Sequence, residues 1–159
     1  MKRVLTIAAI AALLISCTAQ QPASEVEDKT PGFVISDGNV EVKIGEDGAL
    51  LSLVNKETGH NYASGEGLWR MFYNTHEEKE MQIDGTENTP AVSQEGDVIT
   101  ITYKDLVHRG KTLKMDLTLT VKVEDGAVRF GSTVSNNEPG TIIRELQYPL
   151  VGNMNLPEG

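Results

Sequence analysis

The residues of this chain best suited to chemistry lie in one short run, Leu68-Trp69-Arg70-Met71-Phe72-Tyr73. A flat aromatic ring beside an arginine can stack on a sugar ring while the guanidinium hydrogen-bonds its hydroxyls. Strand alternation places Trp69, Met71 and Tyr73 on one face and Leu68, Arg70 and Phe72 on the other. Trp69, Arg70 and Tyr73 are therefore the candidate carbohydrate contacts. The competing reading puts one face in the core, and aromatics make up only 5% of the chain, so the core has a strong claim on them. Glu145, in Arg144-Glu145-Leu146, is the fourth candidate. Alternation groups it with Ile143 and Gln147, facing either a binding surface or plain solvent.

Other chemistry lacks its residues. His60, His76 and His108 have no metal-ligand spacing, and Cys17 is the single cysteine, so no metal site is expected. No Gly-x-Ser-x-Gly elbow or phosphate-cradling glycine loop occurs, and no cofactor is expected. Glu77, Glu78, Glu80 and Asp84 cluster as a carboxylate pair for glycoside hydrolysis would, but with Lys79 among them they read as a solvated loop and edge strand. No catalytic residue is assigned.

Cys17 has a different chemistry. Met1-Lys2-Arg3 precedes an apolar run from Val4 to Ile15, and Ser16 stands before the thiol. This is the layout of a secretory signal, and the run falls short of the roughly 20 apolar residues that span a bilayer. Leu14-Ile15-Ser16-Cys17 resembles the lipobox of bacterial lipoproteins. That resemblance implies cleavage before Cys17 and acylation of its thiol and new amino group, which would anchor the chain to a membrane without a spanning helix. Lipidation consumes the only thiol, so the fold must rest on its core alone. Glu25-Val26-Glu27-Asp28 resembles the acidic signals that send some lipoproteins to the outer face of the outer membrane, though it reads more simply as a solvated linker; the expected location is the bacterial cell envelope, at the outer membrane, on either of its faces.

Three segments follow: a signal peptide over 1–16, a lipidated polar linker over 17–31 and a β domain over 32–159. Removing the signal leaves 143 residues, with 12 basic against 23 acidic side chains and a formal charge of −11. Such a charge argues against nucleic acid and anionic surfaces as partners. From Phe33 the pattern is that of strands. Val40, Val42 and Ile44 alternate with Glu41 and Lys43, Asp47-Gly48 offers a turn, and Ala49 to Val54 returns. Leu68 to Tyr73, Lys79 to Ile83, Asp97 to Tyr103, Leu113 to Val123, Ala127 to Val134 and Thr141 to Leu150 complete about eight or nine strands without a helical period. The strict alternation over Leu113–Val123 demands one buried face and one wet one. The expected fold is all-β, an antiparallel β-sandwich of supersandwich type. The last strand lacks a later partner, so the domain is expected to continue beyond Gly159.

Gly38 to Gly59, closing on Asn55-Lys56-Glu57-Thr58-Gly59, resembles the opening of galactose-mutarotase-like β-sandwich domains, which stand at the N-terminus of many exported bacterial glycoside hydrolases. Arg144-Glu145-Leu146-Gln147-Tyr148-Pro149-Leu150 is similar to a later strand of those domains, and the likeness covers roughly residues 33–155. It implies a two-sheet antiparallel sandwich associated with carbohydrate, with catalysis in a following barrel domain. It does not imply mutarotation, because the three histidines do not match the positions that activity needs. The first expectation for function is a lipid-anchored carbohydrate-associated module of a glycan-degrading protein. An envelope lipoprotein that binds another protein, and a small sugar-epimerase-like enzyme, are the alternatives.

Overall fold

The computed structural model describes residues 32–63 and 67–152. Cys17, the 1–16 signal and the 17–31 linker lie outside the described residues. The first strands in chain order are β1 (Gly32–Ser36), β2 (Val40–Gly45), β3 (Leu50–Asn55), β4 (Arg70–Asn74), β5 (Met81–Asp84) and β6 (Ala91–Glu95). They continue with β7 (Val98–Tyr103), β8 (Val107–His108), β9 (Lys111–Thr112), β10 (Met115–Glu124), β11 (Ala127–Asn136) and β12 (Ile142–Gln147). The remaining regular element among the described residues is a three-residue 3₁₀ turn, Gly85–Glu87. All pairings are antiparallel, in sheets ordered β1-β2-β3, β12-β4-β5 and β11-β10-β7-β6, with β8-β9 a short hairpin.

The expected sandwich is all-β as anticipated. Its backbone of order is β10, in which Met115, Leu117, Leu119 and Val121 are wholly buried while Asp116, Thr118, Thr120 and Lys122 face outward. Beside it, β7 buries Ile99 and Ile101 completely, and the outer face pairs Thr100 with Thr120 and Thr102 with Thr118. Such cross-strand pairs hold register, and each fully buried aliphatic contributes about 1.5–3 kcal/mol. β1 and β2 lie against β7 and β10. The buried faces of all three large sheets meet in one apolar cluster that runs from Ile35 through Met71 to Val123.

Turn residues set the chain reversals. Asp125 and Gly126 both take positive φ, 53° and 76°, which a two-residue hairpin turn between β10 and β11 requires. Asp37 ties that turn to the start of the chain. Its Oδ1 accepts the Asn39 and Val40 amides at 2.8 and 2.9 Å, and its Oδ2 accepts the Gly126 amide at 2.7 Å.

Several expectations need correction. There are twelve strands among the described residues rather than eight or nine; β6 and the two-residue β8 and β9 carry too little alternation to read. The strand expected over Leu68–Tyr73 begins at Arg70, and Leu68 and Trp69 are both buried because alternation starts only with the strand. The last strand ends at Gln147, before a cis Tyr148–Pro149 bond. Within it the register shifts between Ile143, opposite Tyr73, and Glu145, opposite Phe72. This bulge at Arg144 separates Glu145 from Ile143, which alternation had placed on one face.

Candidate functional site

β4 supplies side chains to both surfaces of its sheet, and the site follows from that division. On the inner face Met71 is fully buried and Tyr73 is 3% exposed. Trp69, just before the strand, is also fully buried. Its indole meets Tyr103 edge-on with centroids 5.1 Å apart, and it lies so close over Gly85 that a Cβ there would come within 2.8 Å of Nε1. Trp69 therefore belongs to the core and offers no ring for a ligand, which corrects its place among the candidate contacts. Tyr73 packs its ring inward in the same way, edge-on to His108 at 5.8 Å.

Arg70 emerges on the outer face but does not stand free. Its Nε donates to Asp84 Oδ1 across the sheet at 2.6 Å, and Gln82 Nε2 donates to Asp84 Oδ2 at 2.7 Å. Burial alone would raise the Asp84 carboxyl, yet the hydrogen bonds from Arg70 and Gln82 outweigh it and hold the group below the usual carboxylate range. Arg70 is thus a cross-strand clasp rather than a companion to Trp69.

Farther along the same face is an open groove of about 570 Å³. Its floor is the half-buried ring of Phe72, set directly opposite Glu145 by the β12 bulge. Gln147 Nε2 donates to Glu145 Oε1 at 2.8 Å, and Asn74 Oδ1 accepts the Glu80 amide at 2.8 Å. Lys79 and Arg144 form the rim. Of the four sequence candidates, Glu145 alone lines this groove. Phe72, Asn74 and Gln147 join it through cross-strand pairing, which spacing along one segment does not reveal.

A second recess of about 460 Å³ opens at one end of the sheet, where Tyr73 reaches the surface among three turns. One joins β4 to β5 and carries His76 and Glu78, one joins β8 to β9 and carries Arg109, and the third is the loop before β12. His108, 7% exposed, closes its floor; its Nδ1 lies 3.6 Å from Glu87 Oε2 and neither ring nitrogen has a hydrogen-bond partner. Two of the three histidines, His76 and His108, are brought to one place by turns far apart in the chain. No group of three metal-ligating side chains occurs among the described residues.

Comparison with protein-family descriptions, with curated proteins and with solved structures gave no match.

Proposed function

We propose that this chain is a carbohydrate-associated β-sandwich module, anchored through lipid on Cys17 and acting as the N-terminal accessory part of a glycan-degrading protein. The observation that carries the reading is the groove on the β12-β4-β5 sheet. It sets the partly exposed Phe72 ring among Asn74, Glu145 and Gln147, an apolar platform bordered by groups that both donate and accept. A sugar ring presents the complement, one face of C–H bonds and an equator of hydroxyls. The resemblance of Gly38–Gly59 and Arg144–Leu150 to sandwich domains of exported hydrolases supports the same assignment. On this reading the chain recruits glycan and the catalytic groups belong to another domain.

The test is affinity electrophoresis of the full chain, extracted in detergent, through gels containing a panel of polysaccharides. At least one polymer should retard it, and Phe72→Ala should abolish the retardation. Free migration through every gel would sink the glycan reading. Anchoring is tested separately: Cys17→Ser should end incorporation of labelled palmitate and release the chain from membranes.

A second reading, docking to another envelope protein, is favoured by β12. Among the described residues this strand pairs only with β4, and it carries Ile142 at 66% exposure. A stoichiometric partner captured by the wild-type chain and lost with Ile142→Lys, without glycan present, would support it over the first.

A further inference from the structure

The end recess around Tyr73 differs in chemistry from the groove. Tyr73 is 3% exposed, and its hydroxyl has no hydrogen-bond partner among the described residues. Burial raises its phenol above the ordinary range, with the Arg109 charge pulling the other way and those of Glu78, Glu138 and Glu87 adding to the rise. Tyr73 lines the recess, so its hydroxyl is available to a bound group. Two cations stand nearby with loose attachments. The Arg109 guanidinium reaches Glu78 only at 3.6 Å and Lys111 Nζ reaches Glu138 only at 3.4 Å, and both side chains are about 70% exposed. Each can turn to a better acceptor without breaking a short bond. His76 adds a further ring at the rim, packed so tightly on Gly140 that a Cβ there would lie 2.7 Å from its Cδ2. Met81 and Leu113 supply an apolar wall.

We propose that this recess binds a single hexuronate unit, a sugar bearing a carboxylate, by that carboxylate. Arg109 provides the planar fork that matches a carboxylate, Lys111 a second charge, and the Tyr73 hydroxyl a further donor that completes the contact. Glu78, relieved of part of its hold on Arg109, accepts from a sugar hydroxyl. A neutral hexose would leave both cations on their distant partners, and a bare carboxylate would leave the apolar wall wet. The choice of a sugar ring rests on the carbohydrate reading above; the choice of a carboxylate rests on the recess.

The experiment is calorimetric titration of the full chain with galacturonate and glucuronate, with the corresponding neutral hexoses, and with acetate. One of the hexuronates should bind saturably, at least about tenfold more tightly than its neutral counterpart or acetate. Tyr73→Phe, which keeps the ring in the core, and Arg109→Gln should each weaken it by at least about tenfold with little change in melting temperature, while Phe72→Ala leaves it unchanged. Absence of saturable hexuronate binding, equal binding of neutral hexose or acetate, or indifference to both recess variants would overturn the proposal. Hexuronate binding that persists when no polymer retards the chain would overturn the groove alone; polymer retardation lost with Phe72→Ala but without any hexuronate binding would overturn the recess alone.

Discussion

The four-stranded sheet and the β12-β4-β5 sheet are built from the same kinds of residue to different ends. In the first, β10 runs for ten residues without a break, and its outer face is a ladder of threonines with Asp116 and Lys122. Its pairing with β7 and β11 runs without a register shift. In the second, strands are short, β12 is bulged at Arg144, and Glu80 takes a positive φ of 56° in the turn that leads to β5. Both of these irregularities lie on the groove. The difference teaches that regular pairing makes a wall, and that a concave surface with mixed polarity is obtained where pairing is interrupted.

That contrast can be broken most severely from the core. Trp69→Ala should cost about 3–5 kcal/mol, because it empties a fully buried site between Tyr103 and Gly85. Chemical denaturation would measure it, and a loss under about 1 kcal/mol would show that Trp69 is not the inner anchor of its sheet. Leu119→Ala should cost about 2–5 kcal/mol through the cavity left in β10, by the same assay.

The clasp on the outer face should have a smaller, pH-dependent effect. The folded state holds the Asp84 carboxyl below its unfolded value. Its contribution is therefore complete above the unfolded pKa and is lost as pH falls through the folded one. Melting temperature should decline on acidification below about pH 4, and Arg70→Gln should flatten that limb. For a pair about one-third exposed, with side chains at 37% and 29%, the loss at neutral pH should be about 0.5–1 kcal/mol. An unchanged acid limb in the variant would remove Asp84 from the account. Smallest of all, Glu145→Gln should leave stability within about 0.5 kcal/mol while altering polymer retardation, since the side chain is exposed on the groove. A larger destabilisation would mean that its contact with Gln147 supports the bulge.

Where pairing is regular, the chain announces itself. The face of β10, the hairpin of β2 and β3 around Asp47-Gly48, and the outward placement of Arg70 and Phe72 all follow from alternation and turn residues. Leu68 was misplaced because it precedes the strand that would have turned it outward. The groove was half legible. Glu145 could be singled out as a charge within an apolar strand, but its position opposite Phe72 depends on one unpaired residue at Arg144, and no local signal marks which residue of a strand will bulge. The recess was illegible, since His76, His108 and Arg109 meet only through turns that separate strands bring together. The Arg109-Gly110 turn was the one local clue, with both residues at positive φ.

Asp37 has a consequence for the order in which the chain completes itself. It caps its own turn with two neighbouring amides but reaches Gly126, 89 residues away, with its remaining oxygen. The local bonds can form as soon as the first hairpin closes, whereas the distant one waits for the β10–β11 turn to arrive. The Gly126 amide is thus a natural timer. In pulse-labelled hydrogen exchange it should gain protection after the Val40 amide, so two positions sharing one carboxylate would report the beginning and the end of assembly.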